Sequence, residues 1–348
     1  MLPEYLSTTT HITTLLRSSL SEKDYSSVSV IVDENTRKNC LPLIERSLPP
    51  SHQMIEIPSG EVNKNLSTCQ QVWDALTRQL VDRNGLVIDL GGGVVCDLGG
   101  FCASTYKRGI DFWHIPTTLL AQVDATLGGK LGVDYDHYKN HIGLFRMPEK
   151  VLVDPVFLQT LPAIELLSGK AEIIKHCLIA DKEAFEDLVN NHLSLNPPLP
   201  VIERSLRIKE SIVHEDQEET GPRKLLNFGH TVGHAMESYY LNSPAPLKHG
   251  IAVAAGMIIE SYLSFAKEGL DKEDLSRIVS FINTHYRFNQ INKKEYPSLI
   301  ELMRHDKKNE NRMIKSVLLR SIGSAHYDII IAEQDIFDGF EFFNSQIK

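Results

Sequence analysis

The second half of the chain holds side chains with the types and spacing of a metal site. Glu172, Lys175 and His176 fall at i, i+3 and i+4, so a helix there puts all three on one face. His230 and His234 are four apart, a spacing at which two imidazoles reach one ion. His249 follows, just ahead of a long apolar run. A catalytic divalent site needs three protein ligands and a position left open for substrate. Five donors are offered, Glu172, His176, His230, His234 and His249, and spacing does not choose among them. Mixed carboxylate and imidazole donors suit Zn²⁺, with Co²⁺ able to replace it.

The first half carries a different chemistry. Val87 and Ile88 lead as an apolar strand into Asp89-Leu-Gly-Gly-Gly-Val-Val-Cys-Asp97. A glycine-rich turn between strand and helix brings bare amides close to a ligand and cradles pyrophosphate at the helix N-terminus. The dinucleotide fingerprint is incomplete, because Cys96 stands where a third small residue is expected. Downstream lie Lys107-Arg108-Gly109, a strand ending at Pro116-Thr117-Thr118, then Gly128-Gly129-Lys130 and Lys139-Asn140. A tight turn explains any one of these, but not all of them within about fifty residues. Upstream, Asp33-Glu34-Asn35 closes a strand, where an acid accepts ribose hydroxyls, and Ser59-Gly60-Glu61-x-x-Lys64 follows the next.

A basic set accompanies the metal candidates: Lys175, Lys209, Arg223, His234, Lys307 and Lys308, with Asn227 beside them. Each alone reads as a solvated charge. Together they suit a small anionic substrate.

The elements that must position these groups change character along the chain. Ser27–Val32, Gln53–Ile57, Leu86–Leu90, Ile110–Ile115 and Val151–Val153 read as strands, with a helix over Leu66–Val81. That is β/α alternation. Past residue 160 helical periods dominate: Leu167, Ala171, Ile174 and Leu178 make one apolar stripe. A loop at Asn196–Pro200 precedes amphipathic stretches over Val201–Asp216 and Leu225–Leu241, and Ile251–Lys267 reads as a buried central helix. Ser316–Arg320 and Tyr327–Ile331 read as short strands. We therefore expect an α/β, Rossmann-like nucleotide-binding domain over residues 1–160 and a mostly helical metal- and substrate-binding domain over 161–348.

The 348 residues suffice for two cores. A net charge of −9 argues against a nucleic-acid partner. Five cysteines, with no Cys-x-x-Cys pair, argue against a disulfide framework and for a reducing, cytoplasmic setting. No stretch reads as a membrane span or leader, so no membrane partner is expected.

GGGVVCDLGGF, RGIDFWHIPTTLLAQVDATLGGK and KNHIG, followed in order by SGKAEIIKH, LLNFGHTVGHAMES and LKHG, resemble 3-dehydroquinate synthases, the cyclising enzymes of the shikimate pathway. The resemblance runs from about Asp33 to Lys308. It implies NAD and one divalent metal as cofactors. For NAD it implies Asp33, Asn35, Glu61 and Lys64 on the adenosine half and Gly92 and Gly93 at the turn. Asp97, Thr117, Thr118, Lys130 and Lys139 go to the nicotinamide half, with Asp124, Phe157 and Thr160 also in contact. It selects Glu172, His230 and His249 as metal ligands and gives His234 to the substrate phosphate, with Lys130 and Asn140. Arg223 suits the substrate carboxylate as a bidentate partner, and Lys175, Lys209 and Asn227 complete the catalytic set.

The implied substrate is 3-deoxy-D-arabino-heptulosonate 7-phosphate. Transient oxidation at C5 acidifies the neighbouring C–H, phosphate leaves, the ketone is re-reduced, and an internal aldol closes the ring. The resemblance also implies a homodimer in which Arg108 reaches the partner's phosphate site. Two departures stand out: Cys96 for a glycine, and Ile251 for the acid or amide usual after His249-Gly250. Related readings are an inosose- or valiolone-forming cyclase and a polyol dehydrogenase that releases NADH. A nucleotide sensor without turnover is the non-enzymatic alternative.

Overall fold

The structure, a computed structural model, describes residues 2–136, 138–191, 193–241, 243, 246–304 and 313–347. The chain divides into two compact units, Met1–Pro162 with Asn196–Glu210, and Ala163–Leu195 with Ser211–Lys348. The domain expected over 161–348 is therefore corrected: Asn196–Glu210, with Lys209, belongs to the first unit.

The first unit runs β1 (Leu6–Thr8), α1 (Ile12–Leu20), β2 (Val28–Asp33), α2 (Glu34–Asn39), α3 (Leu41–Ile44), β3 (Gln53–Ile57), α4 (Leu66–Arg78), β4 (Leu86–Gly91), α5 (Gly93–Thr105), β5 (Asp111–Pro116), β6 (Lys130–Tyr135), β7 (Tyr138–Phe145) and β8 (Lys150–Val153). Six strands form one parallel sheet in the order β1-β8-β5-β4-β2-β3. Strands buried on both faces need apolar residues at successive positions. In β2 and β4, Ile31 and Val87 face a core shared with Val72 and Leu76 of α4 and Leu98 and Phe101 of α5. Their neighbours Val30, Val32, Ile88 and Leu90 face the other way, onto Ile12 and Leu16 of α1 and Ile44 of α3. β6 and β7 form a separate antiparallel hairpin. Neither that hairpin nor β1 was expected. β7 alternates exposed and half-buried residues without an apolar run, and β1 is only three residues long.

The chain adds β3 on one side of β2 and then β4 on the other. The strand order therefore reverses between β2 and β4. Ligands of doubly wound sheets bind at such a reversal. Asp33 ends β2 and the glycine turn follows β4.

Later in the chain come α6 (Ala163–Ala180), α7 (Lys182–Asn190), α8 (Leu199–Glu215), α9 (His230–Tyr240), α10 (His249–Lys267), α11 (Lys272–His285), α12 (Tyr296–Arg304), the hairpin β9 (Ile314–Ser321) and β10 (Ser324–Ile331), and α13 (Glu333–Gln346). α10 is the centre of the second unit, with α6, α9, α11, α13 and β9 packed against it. It is long and apolar enough to cross a membrane, but most of it is buried by those neighbours, as in a core helix. The stretch expected to be helical over Leu225–Leu241 is interrupted. Pro222–Asn227 forms a tight helical turn, and Gly229, at φ +78°, breaks the chain before α9. That break puts His230 at a helix start.

Candidate functional site

In the first unit Asp33, the glycine turn and Thr117–Thr118 lie at the carboxyl ends of β2, β4 and β5, whereas Lys130 and Lys139 lie on the separate β6–β7 hairpin. The Thr117 N–H donates to the Gly91 carbonyl (2.9 Å), tying the end of β5 to the glycine turn. The Thr118 hydroxyl accepts the Ala121 N–H (3.1 Å). Gly92 precedes α5 and brings no side chain to cap it, so the start of the helix is a bare-backbone cradle. That cradle fits a pyrophosphate. Cys96 does not obstruct it: its thiol is fully buried, with Sγ 3.6 Å from the Gly91 carbonyl. The close helix–strand approach that a small residue serves is made instead at Gly99, where a Cβ would lie 1.9 Å from Asp89 Oδ1.

Lys64 is buried and ion-paired with Asp97, and its Nζ also donates to Asn140 Oδ1 at 2.6 Å. Burial alone would lower the Lys64 pKa. The carboxylates of Asp97 and Glu61 outweigh it, so the pKa is raised and the ammonium stays charged. The structure thus joins three residues that the sequence argument had treated apart. Asn140 sits at φ +49° and its N–H donates to Asp134. Asp124 lies in a wide helical turn over Ala121–Ala125, and Lys209 Nζ meets its carboxylate (2.7 Å) and its carbonyl (2.6 Å). Asp33 Oδ1 caps α2 by accepting the Thr36 N–H (2.7 Å). Phe157 is buried, whereas Asn35, Lys130 and Thr160 are exposed and Glu61 and Lys139 half-buried.

In the second unit Glu172 and Lys175 are buried on α6 and paired with each other. Taking a carboxylate out of water costs several kcal/mol unless it is compensated. Here compensation includes two imidazoles: His230 Nε2 lies 3.5 Å and His249 Nε2 3.6 Å from the same Glu172 Oε1. Both rings are held from behind. His230 Nδ1 lies 3.0 Å from the Phe228 carbonyl, and His249 Nδ1 lies 3.0 Å from Glu237 Oε2. An acceptor at Nδ1 puts the proton there and leaves the Nε2 lone pair for a cation. One carboxylate oxygen and two such nitrogens converging is the donor set a divalent ion requires, so the residues fit the group.

His234 is close as well; ring nitrogens of His230, His234 and His249 lie within 4.8 Å of one another. Position alone therefore leaves His234 as a fourth donor. His176 is fully buried on α6. Burial pulls the His249 pKa down, but its bonds to Glu172 and Glu237 dominate and raise it to about 9, so an ion binding at Nε2 displaces a proton from it. Burial and the Lys175 charge hold His230 well below the usual imidazole range.

Local packing explains the convergence. The start of α10 lies against α6, with the Gly250 N–H donating to Ser168 Oγ (3.0 Å). A Cβ on Gly250 would sit 2.1 Å from the Ser168 carbonyl, so only glycine lets His249 come this near Glu172. Arg223 is buried, with Nη1 donating to the Gln217 carbonyl, and Asn227 donates to Glu219 Oε1 at 2.8 Å. Lys307 and Lys308 lie outside the described residues.

Sequence reasoning missed Glu237, which falls three residues after His234 and seven after His230, on the same face of α9. That spacing was the available signal. It also answers the Ile251 departure, because the Nδ1 partner comes from α9 rather than from the residue after Gly250.

The profile described as 3-dehydroquinate synthase N-terminal matches residues 54–168, and that described as 3-dehydroquinate synthase C-terminal matches 169–309. A 3-dehydroquinate synthase of Parabacteroides distasonis is 39% identical over 336 residues, covering 94% of each chain. Among solved structures, 2-epi-5-epi-valiolone synthase from Streptomyces hygroscopicus with NAD⁺ and Zn²⁺ bound superposes with a TM-score of 0.88 at 25% identity, over 99% of this chain and 98% of that one. A 2-deoxy-scyllo-inosose synthase complexed with carbaglucose-6-phosphate, NAD⁺ and Co²⁺ shares the fold, with a TM-score of 0.83 at 23% identity over 98% and 96%.

Proposed function

The chain belongs to the 3-dehydroquinate synthase family, and from that premise we propose its reaction: conversion of 3-deoxy-D-arabino-heptulosonate 7-phosphate to 3-dehydroquinate and phosphate. It is a carbon–oxygen lyase dependent on NAD and a divalent metal. The observation that carries this reading is Glu172 Oε1 facing both His230 Nε2 and His249 Nε2 in a chain of this family. When bound, NAD supplies a reversible hydride acceptor and the metal a Lewis acid for the substrate hydroxyls.

The residues of the chain bind and orient. In the first unit, Asp33 and the amides after Gly92 are assigned to the dinucleotide, with Lys64 holding Asp97 in place. Thr117, Thr118 and Asp124 support the nicotinamide half, and Lys130 and Asn140 are the phosphate-binding candidates. In the second, Glu172, His230 and His249 are assigned to the metal, Arg223 to the substrate carboxylate and His234 to the phosphate. Lys175, already paired with Glu172, tempers the charge the metal meets.

The test supplies the heptulosonate phosphate with NAD far below substrate and with Zn²⁺ or Co²⁺. Phosphate should be released over many turnovers with no net NADH. Stoichiometric NADH would instead mark a dehydrogenase, and absence of phosphate release a different substrate.

We further assign the protein to the cytoplasm as a homodimer with Arg108 completing the partner's phosphate site. Arg108 is exposed and holds φ +71°, next to Lys107 at φ +49°, so the turn before β5 is fixed in a backbone state that side-chain-bearing residues adopt at a cost. Mixing Arg108→Ala with Glu172→Ala subunits then restores roughly a quarter of wild-type activity after random exchange. No recovery after verified exchange rules out the shared site.

A further inference from the structure

Two carboxylates outside the proposed ligand set cross between the helices that carry the histidines. Glu237 is on α9 and meets His249 Nδ1, at the start of α10, at 3.0 Å. Glu260 is on α10 and accepts the backbone N–H groups of Gly229 (2.7 Å) and Val232 (3.1 Å), which flank His230 at the start of α9. Each helix thus holds the histidine-bearing end of the other.

Glu260 is fully buried in a helix otherwise lined by apolar and small residues. Its position has a physical cause. α9 begins at Gly229, which brings no side chain to cap the first amides. Those amides have no partner within their own helix and carry the positive end of its dipole. A buried carboxylate from the neighbouring helix satisfies both demands. The two backbones also touch: a Cβ on Gly256 would lie 2.0 Å from the Gly229 carbonyl, and one on Gly233 would lie 3.1 Å from Val253 Cα. Helices packed this closely have few alternative registers, and the two carboxylates choose one.

We propose that Glu237 and Glu260 form a crossed brace that sets His249 and His230 at the spacing one metal ion needs. Both are positioning residues. Glu237 acts on the ring of His249 directly, and Glu260 acts on His230 through the backbone on either side of it. The proposal rests on the assignment of Glu172, His230 and His249 to the metal.

The test compares purified wild type, Glu260→Gln, Glu237→Gln, His230→Ala and a control, Phe185→Leu, in the core beneath α7. Each is stripped of metal and titrated with Zn²⁺ against a chromophoric chelator. The visible absorption of each Co²⁺ form and the thermal unfolding of each metal-free form are also recorded. Glu260→Gln and Glu237→Gln should each weaken Zn²⁺ binding by roughly 10- to 100-fold and shift the Co²⁺ bands. Phe185→Leu should lose thermal stability and keep its affinity. If Glu260→Gln does not fold without metal, the affinity of Glu237→Gln decides. Wild-type affinity and Co²⁺ spectrum in both glutamine variants, with binding lost in His230→Ala, overturns the brace alone. Wild-type affinity in His230→Ala overturns the metal assignment and the brace together.

Discussion

Asp89 and Glu172 are both fully buried carboxylates facing histidine, yet only Glu172 has the surroundings of a metal ligand. Asp89 on β4 is the register partner of His114 on β5, and His114 Nδ1 lies 3.0 Å from Asp89 Oδ2. One imidazole faces it, and Gly99 of α5 closes over its other oxygen. Burial pushes the Asp89 carboxyl up to about 6 despite His114. Glu172 instead receives two ring nitrogens at one oxygen, each ring anchored at its far nitrogen. A buried histidine–carboxylate pair is thus no sign of metal. Convergence of two Nε2 atoms with both Nδ1 atoms occupied is the discriminating feature.

The largest effect should come from removing that convergence. Glu172→Ala, His230→Ala and His249→Ala should each purify without stoichiometric metal and lose turnover by more than ~10³-fold, since electrostatic stabilisation is usually the largest catalytic contribution. Asp89→Asn should keep a full complement. Metal analysis of the four proteins checks the contrast, and a metal-loaded Glu172→Ala would end it.

His234 sharpens the comparison, because distance admits it as a ligand and the family resemblance gives it to the phosphate. His234→Ala should retain its metal. Its KM should rise by ~10- to 100-fold, the size of one charge-assisted hydrogen bond. Loss of metal in His234→Ala with retention in His249→Ala would mean that a different pair of imidazoles holds the ion.

The two regions also differ in how far the sequence revealed them. The sheet was legible because β2 and β4 are near-continuous apolar runs that end in Asp33 and in glycines, and a run and its punctuation are local signals. The link from Lys64 to Asp97 and Asn140 was not, because it joins residues far apart in sequence through the strand order. The candidate ligands were visible as a set of five. Their geometry was hidden, since it depends on Gly229 ending one helical segment and Gly250 letting α10 touch α6. Glu260 gave only a faint signal, a single acid inside an apolar run. Asp89 lay within the glycine motif and was read as part of it, while its partner comes from the next strand of the sheet.

The smallest effect on catalysis, and the one that probes the other member of the comparison, is that of Asp89→Asn. The ordinary aspartate value is near 4, and the folded protein raises it to about 6. Between those values the folded state keeps a proton that the unfolded chain has lost. Stability from this group is therefore greatest below pH ~4, falls as pH rises through the window, and is fully lost above pH ~6. The rise corresponds to at most ~3 kcal/mol. Asparagine is neutral throughout and keeps an oxygen for His114, so the variant should unfold at higher urea than wild type at pH 7, by ~1–3 kcal/mol, and match it near pH 4. Trp73 and Trp113, the two tryptophans of the chain, both lie in the first unit, so their fluorescence reports this transition. Other carboxylates titrate alike in both proteins and cancel in the difference. A difference that stays constant from pH 4 to 7, or that favours wild type at pH 7, would show that His114 holds Asp89 ionised, and would make the two buried carboxylates more alike than their surroundings suggest.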